Sequence, residues 1–207
     1  MAGLATSMTF AELARRARES GPGNPLAVPV SAAAPLDARA QRELVQVLVS
    51  DVKRRFATST APDGARWRPL KFRRARGGDR PLQDTGRLLA SVTGRATPTE
   101  VVVGTAHPAA ALHQFGGTVR PKKGKYLAIP LTREAARAGS PRRMKGTPRA
   151  PLFAKKVGGR WVGHFLLARK AVVPARPFLG ISKEAERAVA AVLADAAARR
   201  WVEGRSR

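Results

Sequence analysis

The clearest pattern in the chain is a four-residue recurrence: Leu44, Leu48, Val52 and Phe56 repeat on one helical face. Val45 and Val49 widen the stripe, and Gln41, Arg42, Asp51 and Lys53 supply polar positions. This spacing predicts the principal helix of a core. Asp37 stands where an N-cap is needed, and the helix should stop near Thr58, before the turn residues Pro62-Asp63-Gly64. Ala185, Val189, Val192, Leu193, Ala196 and Trp201 form a second stripe, which predicts a last helix capped by Ser182. Glu184 and Glu186 suit its positive end, and Arg199 and Arg200 its negative end.

The chain between the two helices reads as short strands and turns. Val92–Thr97 and Thr99–Gly104 predict a hairpin around Thr97-Pro98-Thr99, with the valine run Val101–Val103 ending at Gly104. Leu88 and Leu89 should turn inward on a short helix capped by Asp84 or Thr85. Pro108 fits the first turn of another short helix, Ala109–Phe115, with Leu112 and Phe115 on one face and Gly116 and Gly117 setting the turn that follows. Tyr126–Leu131 reads as a strand that Pro130 confines to its end or to a sheet edge. Thr132–Ala138 is a helical turn, and the stretch from Pro148 onward gives two strands joined at Val157-Gly158-Gly159. Val173–Gly180 takes an extended course fixed by two prolines, with Phe178 and Leu179 as anchors. Trp67 is expected to plug a core edge. The fold class is α+β: a small antiparallel sheet of short strands flanked by two long amphipathic helices.

Ahead of this unit, Met8–Ser20 could form a short helix, and Gly21–Pro35 carries four prolines and two glycines with no helical or alternating period. Residues 1–35 are therefore read as a proline-rich arm or linker that needs a partner. Residues 36–207 are read as one domain, including a basic, hairpin-rich segment at 118–173. Removal of residues 1–34 should weaken assembly more than folding.

Charge changes the picture more than any single motif. The 207 residues hold 39 Lys and Arg against 14 Asp and Glu, a net charge of +25, and between Arg120 and Arg176 the only acid is Glu134. Such an imbalance attracts polyanions or acidic proteins. Arg73, Arg74 and Arg76 in one glycine-containing loop, and Lys122, Lys123 and Lys125 at a second tip, are candidate contacts to DNA or to an acidic partner, with a solvated loop as the competing reading. Aromatic residues are only 5%. With the cations dispersed in loops, nucleic-acid binding would rest on backbone attraction without sequence preference. There is no cysteine, so disulfides and thiolate zinc sites are excluded. No run approaches the roughly 20 apolar residues of a membrane span, and the first ten residues lack the features of a secretory signal. These features lead to the expectation of a soluble protein made inside the cell, with no membrane association.

No enzymatic chemistry is expected. His113 and Gln114 lie inside an apolar unit: a catalytic histidine would want a nucleophile or an orienting carboxylate, a metal site would want more ligands, and the competing reading is a packed histidine at a helix end. His107 and His113 are six apart, off the four-residue spacing of a helical metal pair. No phosphate-cradling glycine loop, HExxH pair, calcium loop or dinucleotide fingerprint is present. No catalytic residue, cofactor or metal is therefore assigned.

An ordered set of motifs does carry information. Phe56 with Pro62-Asp63-Gly64 and Trp67-Arg68-Pro69-Leu70 is followed by Leu82-Gln83-Asp84-Thr85-Gly86-Arg87-Leu88 with Ser91. Val103-Gly104-Thr105, His113-Gln114-Phe115-Gly116-Gly117 and Pro174-Ala175-Arg176-Pro177-Phe178-Leu179-Gly180 complete the set. From about Leu36 to the last helix this series resembles the virion-morphogenesis family of tailed bacteriophages, the tail-completion or neck proteins of Mu-like phages. The resemblance implies a structural virion protein, assembled in the host cytoplasm and repeated as a sixfold ring at the head–tail junction, as a tail-completion or tail-terminator ring. Its partners would be copies of itself, the head–tail connector on the portal side, the tail tube or terminator below, and DNA in the channel. Under that reading Trp67 and Phe115 pack the core, Phe178 is a structural or interface anchor, and Arg176 lies at a subunit contact. The alternative is a non-specific nucleic-acid-binding protein using its dispersed Lys and Arg.

Overall fold

The computed structural model describes residues 26–32, 35–70, 78–122, 124–149 and 151–205. The expected helix at Met8–Ser20 and the loop cations Arg73, Arg74 and Arg76, together with Lys123, lie outside them.

Helix α1, Ala38–Thr58, starts where Asp37 leaves extended backbone and accepts the Ala40 amide at 2.7 Å. It stops at Ser59, which turns left-handed. Leu44, Leu48, Val52 and Phe56 are all buried, as the four-residue period requires. Val45 and Val49 face a three-stranded antiparallel sheet of β1 (Leu26–Ser31), β2 (Val92–Ala96) and β3 (Glu100–Thr105), ordered β1-β3-β2. At Gly94 of β2 an added Cβ would sit 2.9 Å from Val45 and 3.0 Å from Val49, so the missing side chain is what lets the sheet close on the helix. Val101, Val103 and Thr105 point inward at every second residue of β3.

The long C-terminal helix α5, Lys183–Arg205, packs on α1. The two run antiparallel: Ser182, which caps α5, bonds Asp51 in the second half of α1, and Arg199 near the far end bonds the α1 cap Asp37. Ala185, Val189 and Ala196 are buried between them.

A short helix α2 (Arg87–Ala90) leads into β2; after β3 the chain leaves this body through α3 (Ala110–Phe115) and β4 (Gly117–Val119), and returns through β9 (Ala171–Val173), which pairs antiparallel with β4. Between them β5 (Leu127–Pro130), α4 (Arg133–Ala138), a 3₁₀ turn (Pro141–Arg143), β6 (Thr147–Arg149), β7 (Leu152–Val157) and β8 (Arg160–Ala168) form an insertion. Its four-stranded sheet is ordered β5-β8-β7-β6, and the Pro130-bearing strand is indeed at an edge. A separate small core of Ala135, Phe153 and Phe165 supports it, the two rings meeting edge-on at 6.0 Å.

The α+β class holds, with corrections. There are three small antiparallel sheets among the described residues, and the long helices lie against each other rather than on either side of one sheet. The last part of the expected arm, Leu26–Ser31, is strand β1, paired with β3 along its whole length. Strand β3 runs through Gly104 to Thr105 instead of ending there. Neither Asp84 nor Thr85 caps α2; Gly86 does so with φ +74° and no side-chain bond. On α3 the fully buried positions are Ala110 and Gln114, with Leu112 and Phe115 half-buried, because that helix faces a backbone segment that needs hydrogen bonds. Trp201 is 64% exposed rather than part of the core stripe, since α5 there has passed Arg199, which bonds the start of α1 at Asp37.

Candidate assembly site

Residues 174–182 form an extended strap that lacks helix or strand pairing over most of its length, so its backbone polar groups need partners from elsewhere. Three separated stretches supply them. From α3, the His113 carbonyl accepts Arg176 N–H at 2.8 Å. Gln114 Oε1 accepts the amides of Phe178 and Leu179 at 2.9 and 3.0 Å, and its Nε2 donates to Leu179 O at 2.9 Å. From the stretch after α1, Trp67 Nε1 donates to Pro177 O at 2.8 Å. From α1, Arg55 donates to the carbonyls of Phe178 (2.9 Å) and Gly180 (3.0 Å).

Arg55 is itself buried and paired with Asp51, one turn before it on α1, and Asp51 also receives Ser182 N–H (3.2 Å) and Ser182 Oγ (2.7 Å). Burial pulls the Arg55 guanidinium below its usual range, while the Asp51 charge opposes that fall. The anchors follow suit: Phe178 and Leu179 are 0% and 1% exposed, and the Phe56 ring lies 5.4 Å from Phe178 and 5.8 Å from Trp67.

The residues singled out in the sequence thus meet around one strap. Trp67 and Phe178 are in the core, and Phe115 packs against it half-buried. Gln114 holds the strap. Gly116 has φ +72°, and an added Cβ would lie 2.7 Å from Ala175 N, so the turn and the close approach both require glycine. Gly117 opens β4. Arg176 is 6% exposed and bonds the carbonyls of Arg68 (3.0 Å) and Pro69 (3.3 Å) of the same chain. In the sequence Asp51 stands as a polar helix position, and Arg55 follows it by one turn. The available signal was their heptad-like spacing with Leu44 and Leu48, which puts two charges inside the apolar arc.

Lys122 and Lys125 lie in the basic insertion, Lys125 over the Tyr126 ring at 5.7 Å. Residues 120–170 hold fifteen Lys and Arg against Glu134 alone. The exposed large apolar side chains of this region are Val157, Trp161 and Val162 at the β7–β8 end and Val172 on β9. Among the described residues no three His, Cys, Asp or Glu gather as metal ligands, and no helix is long and apolar enough to cross a membrane.

The phage virion morphogenesis family model matches residues 29–197, from inside β1 to near the end of α5. The chain belongs to this family. Within the virion morphogenesis family's span lie the strap and each of the stretches that hold it. The chain is also similar to "Mu-like prophage FluMu G protein 2" of Haemophilus influenzae, 37% identical over 89 residues, which is 43% of this chain and 58% of that protein. The match therefore covers little more than half of that relative's length. No solved structure matches. The family points to a morphogenetic, structural role rather than a catalytic one.

Proposed function

We propose that this protein is a structural subunit repeated as a closed ring at the head–tail junction of a phage particle, where it completes the tail or neck and leaves a passage for DNA. Family membership is the observation that carries the reading. Two features of the chain support it. The strap is a fixed organiser whose polar groups bond to the chain's own α1, α3 and Trp67. Strand β2 is a sheet edge beside a groove of about 740 Å³ between it and α1, lined by Val45, Val49 and Gly94 with Arg42, Lys53 and Arg95 on its rim; such an edge is open to pairing with another chain.

Light scattering on the purified protein in about 0.5 M salt, where exposed charges are screened, tests it. The ring reading expects a mass that is a multiple of 22.1 kDa, alone or once purified connector and tail components are added. A monomer under both conditions that associates only with polyanions at low salt would favour the simple nucleic-acid binder.

A further inference from the structure

The insertion carries one feature that its own core does not explain. β6 pairs with β7 only as far as Ala154, and β5 pairs with β8 only from Phe165 onward, so residues 155–162 continue as a bare two-stranded hairpin. Its cross-strand pairs are Lys155 with Val162, Lys156 with Trp161, and Val157 with Arg160, closed by Gly158-Gly159. Three such pairs project by roughly 10 Å. Both faces meet solvent: Trp161 is 48% exposed and Val157 49%. A hairpin of this length gains little stability by itself.

We infer that this hairpin is a contact for double-stranded DNA, with Lys156 and Arg160 on the phosphates and Trp161 directed into the groove. The major groove is about 12 Å wide and 8.5 Å deep and admits a two-stranded ribbon, which matches a projection of this size with side chains on both faces. The surrounding field has one sign, since the insertion holds fifteen cations and one acid. That acid is already engaged, Glu134 lying 3.3 Å from Lys155. A second copy of the chain is a poor occupant, because the rest of it also carries more Lys and Arg than Asp and Glu. Binding is to backbone and groove shape, without base preference. Pairing of β7 with β8 sets Lys156 across from Trp161 on one face of the hairpin, and Lys155 and Arg160 on the other. The inference deepens the assembly role and rests on it for the presence of DNA beside the subunit. Affinity and subunit mass are read separately, so each can fail alone.

The experiment is fluorescence anisotropy of a labelled 20-base-pair duplex with the full-length protein, over a salt series near about 0.1 M. The variant K156S/R160S/W161S changes only exposed side chains, and R187S/R200S/W201S on α5 makes the same change of composition elsewhere. The hairpin variant should bind at least tenfold more weakly, with the log–log salt slope reduced by about 2, while the α5 variant stays within about twofold of wild type. Equal losses in both variants would reduce the effect to net charge and overturn the inference. Tighter binding of a single strand of the same length would overturn it too. So would a hairpin variant that binds duplex normally but no longer enters particles, because that result places an acidic protein on the hairpin instead.

Discussion

Gln114 and Leu179 are joined twice: Leu179 N–H donates to Gln114 Oε1 at 3.0 Å, and Gln114 Nε2 donates back to Leu179 O at 2.9 Å. Because Oε1 also takes Phe178 N–H, one fully buried side chain satisfies three backbone groups of a strap that has no strand partner there. Gln114→Leu keeps the bulk and removes all three bonds. Each orphaned group costs about 1–3 kcal/mol, so the total should be several kcal/mol and the midpoint should fall by roughly 10 °C, at about 2–4 °C per kcal/mol for a chain of this size. Calorimetry checks it, and an unchanged midpoint would remove Gln114 from its role.

Asp51 and Arg55 form a buried pair in which Asp51 also accepts from Ser182 and Arg54, and Arg55 also donates to the carbonyls of Phe178 and Gly180. Asp51→Ala strands the buried Arg55 charge and should cost about 3–5 kcal/mol; Arg55→Met leaves Asp51 bonded to Arg54 and Ser182 and should cost less. The double variant should cost clearly less than the two losses added together. Urea titration of the four proteins measures the coupling; simple additivity would mean that the two groups act independently.

Two glycines with similar positive φ should respond differently to alanine. Gly64 (φ +86°) has open space around it, so Gly64→Ala carries only the left-handed penalty of about 1–2 kcal/mol. At Gly116 (φ +72°) the methyl would also meet Ala175 N at 2.7 Å and Val173 O at 2.9 Å, both backbone atoms that cannot swing aside. Gly116→Ala should therefore lower the unfolding midpoint by clearly more than Gly64→Ala, and equal shifts would show that the strap yields.

Acid should loosen the helix starts. Asp37 is held below its ordinary 3.8, first by the Ala40 amide and further by Arg199, and Glu184 below 4.5, first by its backbone amide and the Ser182 hydroxyl. The folded state prefers both carboxylates ionised, so their stabilisation is complete above the ordinary values and is lost as pH falls through the lower folded ones. Asp37→Asn keeps a capping oxygen without the charge. It should lose less stability than wild type between about pH 5 and pH 3, measured by thermal melts; an identical acid limb would contradict this.

What could be read from the sequence follows from local physics. Asp37, Ser182 and the four-residue stripe of α1 fixed both long helices, since caps and apolar period act over a few residues. Val157-Gly158-Gly159 located the β7–β8 hairpin for the same reason. The β4–β9 ribbon joins Gly117 to Val173, more than fifty residues apart, and nothing in either three-residue strand announces the other. At the strap, the motifs were visible but their joint purpose was not: Gln114 resembled a helix polar residue and Asp51 a solvent-facing one until Phe178, Leu179 and Ser182 were placed against them. Leu26–Ser31 was hidden by Pro29, which a central strand would not tolerate but the edge strand β1 does. A truncation aimed at the chain ahead of the fold should therefore stop before Leu26, because removal to residue 34 takes a strand from the sheet.

The most direct measurement is an electron-microscopy map of the mature phage particle with this subunit carrying a C-terminal tag. The account predicts tag density from several copies closed into a ring where head meets tail. Particles that lack the protein, or that carry it only away from that junction, would contradict it.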